Sequence, residues 1–274
     1  MDIFAGLILD KEDRVNKRTK PLILVTNDDG INAKGLKALI DVVKPLGKLV
    51  VVAPEDSNSG MSHAITVKIP IRVSHISDNG DVSLYRCSGT PVDCVKVAIN
   101  QLLDRKPDLL VAGINHGSNA GISVVYSGTM AAAIEGCIND ITSVGLSLMD
   151  HSKNADFTLA SRYSRKIITN VLNKKIPENT CLNVNFPVFP IEEIKGVKIC
   201  RQTRGVWKEE YDKRQDPRNR NYYWLTGQFI NFESDNEDTD EWALRNKYIS
   251  IVPVKVDFTS YETIDRLKKW DFDL

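Results

Sequence analysis

The alternation of apolar and polar positions near the start of the chain predicts a strand, a helix and a second strand. Residues 22–25 and 49–53 are unbroken apolar runs rich in branched side chains, a pattern typical of strands buried on both faces of a parallel sheet. Apolar residues at helical spacing predict a helix between them: Leu36, Leu39, Ile40 and Val43. A βαβ unit implies a right-handed crossover and a parallel sheet.

The same patterns continue to about residue 195 and predict an α/β domain. Further strands are expected at 82–86, 109–112, 144–148 and 182–186, and further helices at 91–102, 130–137 and 156–172. Apolar residues at every second position from Ile65 to Val73 predict a half-exposed strand, antiparallel to 82–86 across a turn at 78–80. Residues 113–121 contain three glycines, so we expect a loop.

The composition and the hydrophobic pattern of the chain change near Gly196. Residues 201–220 mix both charges, 222–224 are aromatic, and 233–241 carry six acids without a base. We expect irregular arms that pack on another subunit, a solvated acidic loop, a returning strand at 248–256, and a terminal helix capped by Thr259 or Ser260. The predicted organisation is an N-terminal extension (1–20), to which no chemistry is assigned, a Rossmann-like α/β catalytic domain (21–195), and a C-terminal oligomerisation segment (196–274).

Composition excludes several classes of partner. The 274 residues contain 36 Lys and Arg and 36 Asp and Glu, so no basic field for a nucleic-acid polymer is present. The five cysteines include no C-x-x-C pair and indicate a reducing compartment. No apolar run approaches the roughly 20 residues that span a bilayer, and residues 1–20 are too charged for a secretory signal. We expect a cytoplasmic protein without membrane contact.

The first predicted strand ends in Asn27-Asp28-Asp29-Gly30. Two adjacent carboxylates at the end of a buried strand are costly unless a positive charge lies between them, and a divalent cation would supply it. Gly30 permits a sharp turn, so both side chains could reach one ion, or one could orient the other. A polar strand end with a helix cap would also explain this turn sequence.

Other polar loops are predicted at the same edge of the sheet, where open α/β sheets bind ligands. These are Ser59 in the hydroxyl-rich loop 55–63, Ser88-Gly89-Thr90, and Asn115. Carboxylate, amide and hydroxyl oxygens suit Mg²⁺ or Mn²⁺ and suit zinc poorly. The glycines and hydroxyls could cradle a phosphate, although 55–63 could be a solvated turn and Thr90-Pro91 an ordinary helix cap.

Five motifs in this order resemble the SurE survival-protein nucleotidases. They are N-D-D-G at 27–30, A-P-x-x-x-x-S-G at 53–60, S-G-T-P-x-D-C at 88–94, G-I-N-x-G-x-N at 113–119 and Y-S-G-T-x-A-A-A at 126–133. The resemblance implies an α/β core with one divalent cation that hydrolyses nucleoside monophosphates, and assembly as a homodimer or homotetramer through C-terminal arms. It implies Asp28, Asp29, Ser59 and Asn115 as metal ligands, and Asn119, Ser127 and Thr129 near the phosphate.

The expected reaction is hydrolysis by a metal-activated water, with Mg²⁺ or Mn²⁺ as the cofactor and Ca²⁺ as an occupant that crystals could hold. Asp28, Asn119, Ser127 and His63 are the expected catalytic residues. His63 and His116 could each transfer a proton. The expected substrate-binding residues come from four loops: Asn27, Gly60, Ser88, Gly89, Thr90, Gly117, Ser127, Gly128 and Thr129.

Three alternatives stay open at this point. The chain could be a broader phosphomonoesterase or exopolyphosphatase, because the motifs do not specify the base or the position of the phosphate. A non-catalytic nucleotide-binding module would place G-x-G-x-x-G after the first strand, where this chain has N-D-D-G. An enzyme with a phospho-aspartate intermediate would place two Asp at i and i+2, whereas here they are adjacent.

Overall fold

The computed structural model describes residues 20–174 and 176–272, so the predicted extension before residue 20 lies outside the described residues. The strands are β1 Leu22–Thr26, β2 Lys48–Pro54, β3 Val73–Asn79, β4 Val82–Cys87, β5 Leu109–His116, β6 Ser143–Leu148, β7 Thr180–Phe186, β8 Gly196–Ile199, β9 Gly205–Gln215, β10 Asn221–Asn231 and β11 Tyr248–Lys255. The α-helices are α1 Lys34–Val43, α2 Pro91–Val97, α3 Gly128–Ile138, α4 Thr158–Lys174, α5 Asp240–Arg245 and α6 Tyr261–Leu267.

Nine strands form one sheet in the order β3-β4-β2-β1-β5-β6-β7-β11-β8. The run from β4 to β7 is parallel throughout, while β3 and β11 are antiparallel to their neighbours β4 and β7. The prediction of a mostly parallel α/β sheet is therefore confirmed. Because β2 lies on one side of β1 and β5 on the other, a crevice opens at the carboxyl ends of β1 and β5, where such sheets bind ligands.

Both faces of β1 are buried, which explains its unbroken apolar sequence. Ile23 and Val25 pack in a core cluster with apolar residues of α1 and α4. Leu22 and Leu24 pack on the opposite face, in a cluster that includes residues of α2 and Ala132 of α3. Each fully buried aliphatic side chain contributes about 1.5–3 kcal/mol, so β1 is firmly held in the centre of the sheet.

No helix in the described ranges is long and apolar enough to cross a membrane.

The strand predicted from Ile65 to Val73 is wrong over most of its length, because β3 begins only at Val73. Pro70 has no N–H for a strand ladder, and the Thr66 N–H donates to the Asp93 carboxylate instead of to a strand. Ile65, Val67 and Ile69 are exposed, and only Ile71 packs against the core before β3 begins. The antiparallel pairing of β3 with β4 is confirmed.

The loop predicted at 113–121 is wrong in its first part, because β5 continues to His116. A Cβ on Gly113 would lie 2.3 Å from the Leu146 carbonyl oxygen of β6. This glycine therefore permits a close approach between two strands rather than a flexible loop. As a consequence Asn115 and His116 project from a strand, next to Ser147 and Leu148 of β6 in the register.

The segment after Gly196 is more regular than expected. Strands β9 and β10, of eleven residues each, pair with one another from Gly205↔Asn231 to Gln215↔Asn221 and form a separate two-stranded sheet. The irregular arms predicted there are thus a β-hairpin. The returning strand is confirmed as β11, and both β8 and β11 extend the main sheet. The domain boundary at 195/196 stays a prediction.

The acidic run 233–241 is not simply a solvated loop. Asp240 is buried and accepts hydrogen bonds from the Gly121 N–H at 2.8 Å and from the N–H and hydroxyl of Thr203 at 2.9 and 2.6 Å. Glu233 and Asp238 both pair with Arg201. Composition alone suggested a solvated surface, but Asp240 links the base of the hairpin to the segment that leads into α3.

Candidate metal and phosphate site

The site is built around Asp28, which lies at the end of β1 and is only 3% exposed. The Thr129 hydroxyl, in the first turn of α3, donates a hydrogen bond to Asp28 Oδ1 at 2.5 Å. A Cβ on the neighbouring Gly128 would lie 2.8 Å from the Asp28 Cβ and 2.9 Å from Oδ2. The start of α3 is therefore in direct contact with the carboxylate, and only glycine permits this approach.

Burial raises the pKa of Asp28 from its ordinary value of 3.8 to about 6. This value already includes the Thr129 hydrogen bond, which lowers the pKa, and the charge of Asp29, which raises it. Among residues 20–174 and 176–272, no lysine or arginine side chain forms an ion pair with Asp28. A buried carboxylate without a positive partner is costly to ionise, so the site favours either a proton or a cation at this position.

Asp29 is oriented by the end of β5. The backbone N–H of His116 donates to Asp29 Oδ2 at 3.1 Å, and the His116 Nδ1 lies 3.1 Å from the same oxygen. The His116 ring packs edge-on against Phe157, with centroids 5.0 Å apart. His116 is thus held between an aromatic ring and a carboxylate, and its position lets it fix the direction of Asp29.

Two asparagine amides lie beside the aspartate pair. Asn115 Nδ2 donates to the Gly117 carbonyl at 2.9 Å, which leaves Oδ1 of this buried side chain as the free acceptor. Asn27 Nδ2 donates to the Gly30 carbonyl at 3.0 Å. The Asn27 Oδ1 atom is buried and has no hydrogen-bond partner within the described ranges. Buried carbonyl oxygens of this kind need a donor or a cation.

The loop 55–63 lies across the end of β1. The Asn58 N–H donates to the Asp28 carbonyl oxygen at 2.7 Å, and the position of a Cβ on Gly30 lies 3.3 Å from the Asp56 carbonyl carbon. Ser59 follows directly, and its hydroxyl is 3.1 Å from the Ser57 hydroxyl. Gly60 is at the exposed tip, with open space around the position of a Cβ. The loop thus brings the Ser59 hydroxyl to the same edge as the aspartates.

The first turn of α3 is the candidate anion-binding element of the site. Ser127 is its N-cap, and the Ser127 hydroxyl accepts the Met130 N–H at 3.0 Å. The Gly128 N–H, at the start of an eleven-residue helix, lies beside Asp28, where it suits a phosphate oxygen. Phosphate binding by Ser127 and Gly128 stays a prediction. The hydroxyl and the backbone N–H of Thr129 both hydrogen-bond to Asp28, so neither is left for a phosphate.

Residues Ser88, Gly89 and Thr90 make a different set of contacts. Thr90 caps α2 in a reciprocal arrangement with Asp93 and donates its hydroxyl hydrogen to the Ala64 carbonyl. The Ser88 hydroxyl accepts the Arg72 N–H. No polar contact with the aspartate pair is recorded for these residues in the described part of the chain. The helix-cap alternative describes their contacts, and their role in substrate binding stays a prediction.

Asn119 belongs to a buried amide network that sequence reasoning missed. Its N–H donates to Asn185 Oδ1, its Nδ2 donates to the Ser147 hydroxyl at 2.7 Å, and its carbonyl accepts from Asn183. One N–H bond of its side-chain amide stays available for a ligand. The signal was present in the sequence, because Asn183 and Asn185 occupy alternate positions of a buried strand and must point to the same face.

Gly117 has a φ of +98° and lies under the His151 ring.

The polar contact of His63 is with Glu135 and not with the aspartates. Its Nε2 atom is 3.2 Å from Glu135 Oε2, on the second turn of α3. The structure therefore brings Asp28, Asp29, Asn115, Ser127 and the Ser59 loop together at one edge of the sheet. Ser88, Thr90 and His63 instead form hydrogen bonds with other residues: Arg72, Ala64 and Glu135.

The residues present fit a hard divalent cation. Two carboxylates, the free Asn115 carbonyl oxygen and a nearby hydroxyl form an oxygen-only donor set, which Mg²⁺ and Mn²⁺ prefer. No group of three or more His, Cys, Asp or Glu side chains suited to a metal ion occurs in the described ranges. The donor set contains no cysteine, unlike that of a typical structural zinc site, and the identity of the cation stays a prediction.

Comparisons with known proteins show which proteins this chain resembles. The family model for survival protein SurE matches residues 23–209. A protein named 5'-nucleotidase SurE from Flavobacterium psychrophilum is 52% identical over 256 residues, which cover 93% of this chain and 99% of that protein. One of the same name from Bacteroides fragilis is 51% identical, with 93% and 99% covered. The crystal structure of SurE protein from Aquifex aeolicus matches with a TM-score of 0.78 and 38% identity, covering 90% and 98% of the two chains.

The raised pKa of Asp28 predicts a pH-dependent stability for the metal-free protein. A carboxyl whose pKa is raised by folding stabilises the fold below pH 3.8, and this contribution is lost as the pH rises through about 6. In EDTA, the free energy of unfolding of the wild type should therefore fall relative to that of Asp28→Asn by about 2 kcal/mol between pH 4 and pH 7.

Urea unfolding at several pH values measures this difference. Asp41→Asn, an exposed change on α1, is the matched control and should follow the wild-type profile. Parallel profiles for the wild type and Asp28→Asn would show that Asp28 is not the destabilised group.

Proposed function

This chain belongs to the survival protein SurE family, and we propose from that membership that it is a 5'-nucleotidase, which hydrolyses nucleoside monophosphates to nucleoside and inorganic phosphate. The observation that carries the proposal is the contact between the buried Asp28 and the first turn of α3. One group there attracts a cation and the other attracts an anion. A phosphate ester bridged to a cation satisfies both.

The proposed cofactor is one Mg²⁺ or Mn²⁺ ion held by Asp28, Asp29, Asn115 and Ser59. When bound, such an ion polarises a phosphoryl oxygen and lowers the pKa of a coordinated water. The support for these ligands is the oxygen-only donor set and the absence of an ion-pair partner for Asp28 within the described residues.

The chain's own residues supply orientation and charge. In this proposal the Gly128 N–H and the Ser127 hydroxyl bind phosphate oxygens, which gain negative charge during the reaction. Thr129 holds Asp28 in one orientation and His116 does the same for Asp29. Because the two carboxylates are engaged in this way, a water molecule is the nucleophile and no phospho-aspartate forms.

A broader phosphomonoesterase or exopolyphosphatase activity is the second candidate. The elements that support it, the α3 N-terminus and the aspartate pair, recognise a phosphate rather than a base. The two proposals differ in the substrate, not in the site, so one panel of substrates separates them.

We predict that the purified protein releases phosphate from nucleoside 5'-monophosphates only when Mn²⁺ or Mg²⁺ is added. Asp28→Asn and Asp29→Asn should each lower kcat/KM at least about 100-fold, because a charged ligand is lost and the helix start faces a neutral group. Asp41→Asn is the matched control with wild-type activity. The panel should contain 5' and 3' monophosphates, a simple aryl phosphate and polyphosphate.

Metal-dependent release that persists in both aspartate variants would overturn the proposed site. Rates of phosphate release from the aryl phosphate and polyphosphate that equal the rate from nucleoside monophosphates would favour the second candidate. Binding of nucleotides without release from any member of the panel would favour a non-catalytic module.

We also propose that a second copy of this chain covers the β9–β10 hairpin, giving a homodimer or homotetramer. The hairpin forms a sheet of its own, and an isolated pair of strands is marginally stable in water. It nevertheless carries many exposed large apolar side chains: Val206, Trp207, Tyr211, Tyr222, Tyr223, Trp224, Leu225 and Ile230. Such a patch on a regular element marks an interface.

Replacing residues 207–229 by a short Gly-Ser turn should convert an oligomer to a folded monomer, since β8 and β11 remain in the main sheet. A second variant, Tyr211→Thr with Trp224→Thr, keeps β-propensity and removes two aromatic rings. Light scattering coupled to gel filtration measures the mass of each. A monomeric wild type, or an unchanged oligomer after loss of the hairpin, would contradict the proposal.

A further inference from the structure

Glu135 is a buried carboxylate that the proposed reaction does not use. It lies on α3, and its side chain is only 4% exposed. Three side chains converge on it: Lys96 Nζ at 2.8 Å and Asn139 Nδ2 at 2.9 Å from Oε1, and His63 Nε2 at 3.2 Å from Oε2. Burial raises its pKa, but the hydrogen bonds from His63 and Lys96 outweigh burial, and the pKa of Glu135 is lowered.

The three partners of Glu135 differ in what they belong to. Asn139 follows α3 itself and also donates to the Glu135 carbonyl at 2.8 Å, and Lys96 lies on the neighbouring α2. These two hold the carboxylate in place on packed helices. His63 comes from the loop after β2, so the His63 contact is the one that joins a loop to this fixed point.

That loop is the one that carries Ser59. Three residues separate Ser59 from His63, and the contacts of this loop reach the site from two directions. The Asn58 N–H donates to the Asp28 carbonyl, and Ser62 donates through its N–H to the Tyr126 carbonyl and through its hydroxyl to the Val125 carbonyl. Both of those acceptors directly precede the α3 N-cap.

We propose that Glu135 is a positioning residue: it holds His63, and His63 fixes the 57–63 loop so that the Ser59 hydroxyl lies at the aspartate pair. In this account His63 acts through its hydrogen bond and does not transfer a proton. The part of the inference that concerns metal affinity rests on the proposed function. The part that concerns loop order does not, because it is a statement about the metal-free chain.

A short loop gains little from one exposed hydrogen bond, but a contact to a buried, fixed carboxylate is stronger. Removing a residue that orients a metal ligand without touching the metal typically weakens metal affinity 10- to 100-fold. Loss of the His63–Glu135 contact should therefore loosen the loop and weaken the cation site together.

Hydrogen exchange of the metal-free protein tests loop order. In His63→Ala, exchange at the Asn58 and Ser62 amides should rise at least about tenfold. His63→Gln keeps an N–H donor for Glu135 and should restore most of the protection, and Glu135→Gln, which loses the charge but keeps an acceptor, should lie between them. The matched control is His75→Ala, which breaks the exposed His75–Asp78 pair on β3 and should leave both amides unchanged.

Mn²⁺ binding followed by electron paramagnetic resonance tests the second part. The Kd for Mn²⁺ should rise about tenfold or more in His63→Ala and recover in His63→Gln. At saturating Mn²⁺, His63→Ala should keep a large share of the wild-type activity. At limiting Mn²⁺, it should keep a much smaller share. A proton-transfer role predicts the reverse: an unchanged Kd, a lost limb of the pH–rate profile, and no rescue by glutamine.

Unchanged amide exchange in His63→Ala would overturn the inference, as would increased exchange with an unaltered Kd for Mn²⁺. If the wild type neither binds Mn²⁺ nor releases phosphate, the proposed function fails. The exchange experiment still decides whether Glu135 holds the loop.

Discussion

The burial of Asp28 is the constraint on which the site depends. A carboxylate that is 3% exposed, next to a second carboxylate and without a lysine or arginine partner among the described residues, is unstable when ionised. The fold does not relieve this cost with a salt bridge. Instead the Thr129 hydroxyl and the positive end of α3 offset part of this cost, and the proposed cation would supply the remaining positive charge.

The sheet explains why these groups meet. β1 and β5 are neighbours at the point where the order of the strands reverses, so Asp28 and Asn115 emerge side by side. The connections after β2 and before α3 close the same edge from either side. Close contacts at Gly113 and Gly128 set the distances, because a larger residue at either position would push a strand or a helix away from the site.

Sequence reasoning found the elements whose signals are local and missed those that depend on tertiary contacts. The buried run of β1, the helical stripe of α1 and the Thr90-Pro91 cap on α2 were all predictable from neighbouring residues. The false strand at Ile65 shows that apolar alternation can occur without a partner strand, and the continuation of β5 shows that glycine can mark a close contact. The structural roles of Asp240 and Glu135 could not be predicted, because each side chain joins segments distant in the chain.

The most direct test of the account is the number of protons released when the metal-free protein binds Mn²⁺, measured by calorimetry in buffers of different ionisation enthalpy. If Asp28 exchanges its proton for the cation, release should be about 0.9 proton at pH 5, about 0.5 at pH 6 and near zero at pH 8, following its pKa of about 6. Mn²⁺ binding with a proton release that does not change across this range, or no binding at pH 8, would contradict the central role of Asp28.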